Sequence, residues 1–199
     1  MVSLNNIKKA QKTIKSVIKH TPLEFNQNLS DLYNCKVWLK REDLQVVRSY
    51  KIRGAYNKIA SLTNDELTNG VVCASAGNHA QGVAYACAKL GIKGIIYMPT
   101  TTPKQKLRQV EMFGKRHIEI KLIGDTFDDS FDSASKFCKL NRSTFIHPFD
   151  DDKIIEGQGT VGLEILDDSE LEIDYLFVPV GCGGLASGVG TVFKELSPK

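Results

Sequence analysis

The stretch Ser49-Tyr50-Lys51-Ile52-Arg53-Gly54-Ala55 places a lysine at the start of a predicted helix, shortly after a predicted strand. Two other strand-to-helix turns contain glycine: Ser75-Ala76-Gly77-Asn78-His79 and Gly181-Cys182-Gly183-Gly184-Leu185. Strands that pass into helices at such turns are typical of an α/β fold. The first turn of a helix also presents free N–H groups and the positive end of the helix dipole, so both turns are predicted anion sites.

Strands and helices alternate along the whole chain. Short segments rich in β-branched residues predict strands at Lys36–Lys40, Val71–Ala74, Gly94–Met98, Glu119–Ile123, Thr144–His147 and Tyr175–Val180. Amphipathic patterns predict helices at Ile52–Leu62, Asn78–Leu90 and Phe127–Leu140, and one that runs to Phe113 with Thr102 as N-cap and Pro103 at its first position. This alternation predicts a parallel sheet with helices on both faces.

Composition excludes several classes of protein. The 199 residues are 42% apolar and 25% charged, which is ordinary for a globular domain. A net charge of +3 does not indicate nucleic-acid binding, and no apolar run is long enough for a membrane span. The lysine-rich N-terminal helix leaves binding to a nucleic acid or to a membrane surface as a less favoured alternative. Five scattered cysteines without a C-x-x-C pair favour the reducing cytoplasm, and four histidines without ligand spacing predict no metal site.

Lys51 is the candidate nucleophile. An ordinary lysine is protonated at neutral pH, but a helix N-terminus and the nearby Arg53 are expected to lower its pKa. Ser49 is placed to cap the helix, Tyr50 offers an aromatic face, and Gly54 allows a planar ligand to approach the backbone. Taken alone, Lys51 is more simply a surface lysine; its neighbours favour the functional interpretation.

The two glycine turns have alternatives of their own. Asn78 is placed to donate a hydrogen bond to a ring oxygen, although the turn that contains it is also a plausible plain βα turn. With Ala186, the turn that starts at Gly181 matches the dinucleotide pattern G-x-G-x-x-A, but a lone match is weak. A phosphate cradle is the stronger interpretation of Gly181–Leu185.

Together, a reactive lysine and two anion-binding turns resemble the β-family, or fold type II, of pyridoxal phosphate (PLP) enzymes. Supporting stretches are Leu39–Gln45 and Gly157-Gln158-Gly159-Thr160. Within the family, the segment Val46-Val47-Arg48 before the lysine motif is most similar to the biosynthetic threonine dehydratases. The resemblance covers essentially the whole chain.

The resemblance implies a tryptophan synthase β-like fold with PLP in a cleft between two domains. Residues 51–150 are expected to form a small domain, and residues 1–50 and 151–199 are expected to belong to a large one. Because the family's large domain extends further, we expect this chain to be the N-terminal half of a catalytic unit, with an incomplete large domain.

The resemblance also implies roles for single residues. Lys51 is expected to carry the cofactor and act in catalysis. The other cofactor-binding residues are expected to be Tyr50, Asn78, Gly181, Cys182, Gly183, Gly184 and Leu185, with Cys182 in the place of the family's usual glycine. The substrate carboxylate is expected at Ser75, Ala76, Gly77, Asn78 and His79.

The implied reaction converts L-threonine to 2-oxobutanoate and ammonia, a step of isoleucine biosynthesis, with serine as a possible second substrate. Alternatives within the family are a serine dehydratase or a racemase. A different class of hypothesis is that the chain is an inactive fragment, or one chain of a split enzyme that needs a complementary C-terminal chain. Full-length relatives are expected to form homo-oligomers. A dinucleotide-binding domain ranks low, since it leaves Lys51 and Asn78 without a role.

Overall fold

A computed structural model describes residues 1–198 of the chain. Its strands are β1 (Leu23–Phe25), β2 (Trp38–Lys40), β3 (Val71–Ala74), β4 (Gly94–Met98), β5 (Ile118–Leu122) and β6 (Thr144–Phe145). Its α-helices are α1 (Leu4–Ile14), α2 (Gln27–Tyr33), α3 (Lys51–Ala60), α4 (Asn64–Leu67), α5 (Asn78–Leu90), α6 (Lys104–Gly114), α7 (Phe127–Asn141), α8 (Asp152–Asp168) and α9 (Gly184–Leu196). Short 3₁₀ turns lie at Glu42–Leu44 and Lys115–His117.

The central sheet is parallel, in the order β5-β4-β3-β6, and β1 and β2 form a separate antiparallel pair. Neighbouring residues of a strand point to opposite faces. Cys73 therefore packs with Val83 of α5 and Val110 of α6 on one face, while Val72 packs with Ala134 of α7 on the other. The predicted α/β fold, with helices on both faces of a parallel sheet, is confirmed.

A second group of helices packs around α8, which contacts α1, α3 and α9. Glycines let these helices approach closely. A Cβ atom at Gly157 would lie 2.6 Å from the carbonyl oxygen of Arg53, and one at Gly188 would lie 2.5 Å from that of Ile155. Both distances are below normal contact, so the helix positions depend on these glycines.

The strand predicted at Tyr175–Val180 is wrong. This segment forms no ladder with any described residue, and Tyr175 and Phe177 are 83% and 91% exposed. A strand needs a neighbour to bond its backbone groups. Three other strands were predicted only approximately: Lys36–Lys40 begins at Trp38, Thr144–His147 ends at Phe145, and Glu119–Ile123 lies one residue earlier.

The helix predictions hold better than those of the strands. Asn78–Leu90 is confirmed to the residue, and Gly91 ends it with φ of 70°. The predicted start of α6 is wrong: Pro103 is its N-cap, with ψ of 136°, and Lys104 is its first residue. Ile52–Leu62 and Phe127–Leu140 are observed with ends shifted by one or two residues.

The predicted domain boundaries stay predictions. They fall close to two helix starts, at Lys51 in α3 and Asp152 in α8. Within residues 1–198, no helix is both long and apolar enough to span a bilayer, and no cluster of three potential metal ligands occurs.

Candidate active site

A cavity of about 230 Å³ lies where the start of α3 faces the loop before α9. Tyr50 and Lys51 line one side and Gly181–Leu185 line the other, although about 130 positions separate them in the chain. The remaining lining residues are Pro148, Phe149, Ile154, Gln158 and Pro179. The fold therefore brings the predicted lysine and the predicted phosphate loop to one site.

Lys51 is the first residue of α3 and is half-buried. Its Nζ atom donates a hydrogen bond to the carbonyl oxygen of Pro148, at 2.7 Å, and lies 5.6 Å from the ring centroid of Tyr50. Burial lowers the pKa of Lys51, and the nearby Cys182 thiol opposes this slightly. A lowered pKa increases the share of neutral amine, which is the nucleophilic form.

The sequence suggested that Arg53 lowers the pKa of Lys51. In the structure, Arg53 does not have this effect. Its guanidinium is completely buried and donates to Glu42 at 2.7 and 2.8 Å, to Glu164 at 2.7 and 2.8 Å, and to Thr160 at 3.1 Å. Burial opposes the charged form, but the two carboxylates outweigh it and raise the pKa of Arg53. Its charge is neutralised locally, and its role is to fix the first turn of α3 to α8.

The predicted cap by Ser49 is also wrong. Tyr50 is the N-cap residue of α3, with φ of −62° and ψ of −15°, and no side chain caps the helix. The Ser49 hydroxyl is buried and has no hydrogen-bond partner among the described residues. The N–H groups of this first turn therefore lack a side-chain acceptor.

The loop before α9 has the geometry of an anion cradle. Gly183, the N-cap of α9, has φ of 82°, a conformation that favours glycine. A Cβ atom at Gly181 or Gly183 would meet no other atom within 4 Å, so space is open above the backbone. Cys182, which replaces the family's usual glycine, is exposed.

The turn Ser75–His79 does not line this cavity. The N–H of Gly77 donates to the Ser75 hydroxyl at 3.2 Å, and Asn78 is exposed at the start of α5. Helix α5 crosses α3 beside the lysine, since a Cβ at Gly82 would lie 3.1 Å from the carbonyl carbon of Lys51. The helix that this turn opens therefore packs beside the lysine helix.

His79 is buried, and its ring is fixed by the backbone. Its Nε2–H donates to the carbonyl oxygen of Ile146 at 3.0 Å, while Nδ1 has no partner among residues 1–198. Burial lowers the pKa of His79 to about 3, so the ring is neutral at physiological pH. The ring therefore contributes no positive charge to this turn.

Sequence reasoning missed five of the residues that line the cavity, namely Pro148, Phe149, Ile154, Gln158 and Pro179. Pro148 accepts the Lys51 hydrogen bond through its carbonyl oxygen, and nothing in the local sequence marks that role. Gln158 had a signal, because it stands between two glycines in the stretch Gly157–Thr160 that supported the resemblance.

Comparison with known proteins identifies the family. Residues 14–199 match the profile of the pyridoxal-phosphate dependent enzymes. The chain belongs to this family. The family's chemistry suits the residues present: an amine for the cofactor's aldehyde, N–H groups and a helix dipole for its phosphate, and an aromatic side chain beside the lysine.

Among its relatives, the chain is 59% identical to a biosynthetic L-threonine dehydratase of Halalkalibacterium halodurans and 56% identical to that of Bacillus subtilis, each over 198 residues. Both matches cover 100% of this chain but 48% and 47% of the relatives. The chain thus spans about half the length of the curated relatives that it matches.

Solved structures give the same result. A processed threonine deaminase isoform 2 from Solanum lycopersicum superposes with a TM-score of 0.89 at 40% identity, covering 100% of this chain and 56% of that one. Maize serine racemase superposes with a TM-score of 0.93 at 32% identity, and the match covers 99% of this chain and 59% of the racemase chain. The fold type II assignment is confirmed.

Proposed function

We propose that this chain contributes the lysine half of a PLP-dependent threonine ammonia-lyase, which converts L-threonine to 2-oxobutanoate and ammonia in isoleucine biosynthesis. The observation that carries the proposal is the cavity in which the Lys51 amine faces the Gly181–Leu185 loop. The identity of 56–59% to biosynthetic threonine dehydratases favours threonine over other amino acids.

In this proposal, Lys51 attaches the cofactor and the N–H groups of Gly181–Leu185 hold its phosphate at the N-terminus of α9. Tyr50 packs beside the ring, and Asn78 donates to its phenolic oxygen. Tyr50 already lines the cavity. Asn78 is exposed next to the lysine helix, where it is accessible to a ligand.

The bound cofactor supplies an electron sink for the bond that breaks at the substrate Cα. Once the substrate amine has displaced Lys51 from the cofactor, the freed Lys51 Nζ would take the proton from Cα, since burial lowers its pKa, and the β-hydroxyl would leave as water. The Pro148 carbonyl fixes Nζ from one side. The turn of Ser75, Ala76, Gly77, Asn78 and His79 binds the substrate carboxylate beside the lysine. Among the described residues, its free N–H groups are those of Ala76, Asn78 and His79, because the Ser75 N–H donates to the Tyr97 carbonyl oxygen at 3.0 Å and the Gly77 N–H to the Ser75 hydroxyl at 3.2 Å.

Serine racemization or dehydration is the second candidate, favoured by the TM-score of 0.93 to maize serine racemase. We place the protein in the cytoplasm, because all five cysteines are free, as expected of a reducing compartment. A complementary chain or a second copy is proposed as the partner that completes the catalytic unit.

The test measures PLP binding by the visible spectrum, and product release from L-threonine, L-serine and D-serine. Because the chain spans about half the length of its relatives, the assay is run on the chain alone and after co-expression with the remaining half of the Bacillus subtilis relative. We expect 2-oxobutanoate from L-threonine, lost in Lys51→Ala and retained in Lys104→Ala, an exposed lysine of α6. Pyruvate or D-serine as the main product would favour the second candidate, and product that persists in Lys51→Ala would exclude both.

A further inference from the structure

Gln158 carries an unused amide inside the cavity. Its side chain is 1% exposed, and neither its oxygen nor its nitrogen has a hydrogen-bond partner among residues 1–198. Buried polar groups in folded proteins are nearly always bonded, and an unbonded amide destabilises the fold. Because Gln158 also lines the cavity, a ligand that enters the cavity is the missing partner.

Two close contacts of α8 locate Gln158 in the cavity. A Cβ at Gly54, one turn after Lys51, would lie 2.6 Å from the Gln158 Nε2 atom. On the other side, a Cβ at Gly188, in the first turns of α9, would lie 2.6 Å from the backbone nitrogen of Gly159. The backbone of α8 beside Gln158 therefore contacts α9, while the Gln158 amide nitrogen lies against α3 one turn after Lys51, in the cavity that the Gly181–Leu185 loop also lines.

The charge around Gln158 favours an anion. None of the described residues that line the cavity is an aspartate or glutamate, while Lys51 and the N-terminus of α9 both contribute positive potential. An amide nitrogen is a donor, and an oxyanion is its best acceptor in such surroundings.

We propose that Gln158 binds the cofactor phosphate, with its Nε2–H donating to a phosphate oxygen held at the N-terminus of α9. This inference rests on the proposed PLP function and adds a side-chain donor from α8 to the backbone cradle. It explains why a polar side chain occupies a buried position that has no protein partner. It also predicts that Gln158 lowers the stability of the cofactor-free chain and strengthens the binding of cofactor.

The test compares Gln158→Met with Asn57→Leu in the purified 199-residue chain. Both substitutions replace a buried amide at the α3–α8 contact by an apolar side chain of similar size. Asn57 is a matched control because it lies outside the cavity and donates to the Lys153 carbonyl oxygen at 2.7 Å. Three quantities are measured: the Kd for PLP by spectral titration, the Kd for pyridoxal, which lacks the phosphate, and the Tm without cofactor.

For Gln158→Met, we expect the Kd for PLP to rise about tenfold or more, since a hydrogen bond to a charged group is lost. The Kd for pyridoxal should stay within about twofold, and the Tm without cofactor should rise because an unbonded amide is removed. For Asn57→Leu, the Tm should fall and the Kd for PLP should not change.

An unchanged Kd for PLP in Gln158→Met, or an equal rise in the Kd values of PLP and pyridoxal, overturns the inference and leaves the proposed cofactor standing. A chain that fails to bind PLP overturns the proposed function and, with it, the inference that Gln158 binds the cofactor phosphate, whether or not ³¹P NMR shows binding of inorganic phosphate. Binding of neither probe overturns both.

Discussion

The packing of α9 on α8 is tested by adding one methyl group at each of two glycines of the same helix. Gly188 is buried against α8, where a Cβ would lie 2.5 Å from the Ile155 carbonyl oxygen and 2.6 Å from the backbone nitrogen of Gly159. Gly190 is exposed, and a Cβ there would meet nothing within 4 Å. Gly188→Ala and Gly190→Ala therefore differ in the contact with α8 and in little else.

The expected magnitudes follow from two effects. Alanine stabilises a helix interior relative to glycine by about 0.8–1 kcal/mol, and this gain applies to both variants. At Gly188 the new methyl group contacts backbone atoms, which cannot rotate away, and such overpacking costs about 1–3 kcal/mol. Gly190→Ala should thus be more stable than the parent by up to about 1 kcal/mol, and Gly188→Ala should be about 1–3 kcal/mol less stable than Gly190→Ala.

The assay is urea unfolding of the three proteins, followed by far-ultraviolet circular dichroism, with the Kd for PLP as a second measurement. Since the proposed phosphate loop, Gly181–Leu185, lies at the N-terminus of α9, the shift that relieves the clash should also weaken PLP binding in Gly188→Ala alone. Equal stability of the two variants, or a gain at Gly188, would refute the argument that these helices are in backbone contact.

Three further predictions concern other parts of the chain. Arg53→Leu should lose about 3–5 kcal/mol of unfolding free energy in urea titrations at pH 7, because it leaves the largely buried Glu42 without a cation and removes one of the two cations that pair with buried Glu164, the other being Lys40; a loss below 1 kcal/mol would contradict this. His79 is neutral in the fold, because burial lowers its pKa to about 3. In the unfolded chain it is protonated below its ordinary pKa of about 6.5. Its contribution to the unfolding free energy is therefore complete above about pH 6.5 and is lost as the pH falls below that value. From pH 8 to pH 5, the parent should lose about 2 kcal/mol more than His79→Gln, and parallel pH profiles would exclude the buried neutral ring. The amides of Tyr175–Val180 should exchange hydrogen faster than those of β3, and equal protection would show a ladder that the structure lacks.

Local patterns in the sequence were sufficient for most helices and for the parallel sheet. Helix α5 was predicted to the residue, because its apolar spacing and the Gly91 cap are both local signals. Lys51 and Gly181–Leu185 were predicted as ends of one site through family resemblance, and the cavity brings them together.

Contacts between distant residues could not be predicted in the same way. Tyr175–Val180 has a strand-like composition, but whether it pairs depends on a neighbour that no local pattern specifies. Arg53 looked like a charge beside the lysine, yet Glu164, 111 positions away, neutralises it. The Pro148 carbonyl and the Gln158 amide reach the cavity through tertiary packing, and their neighbours in sequence do not reveal it.

The central claim is that Lys51 carries PLP, and reduction of the PLP-loaded chain with borohydride tests it most directly. Reduction fixes the cofactor to the amine that holds it, and peptide mapping by mass spectrometry then locates the label. We predict one labelled peptide, the one that contains Lys51, and no label in Lys51→Ala under the same conditions. Label on a different lysine, or spread over many exposed lysines, would contradict the account.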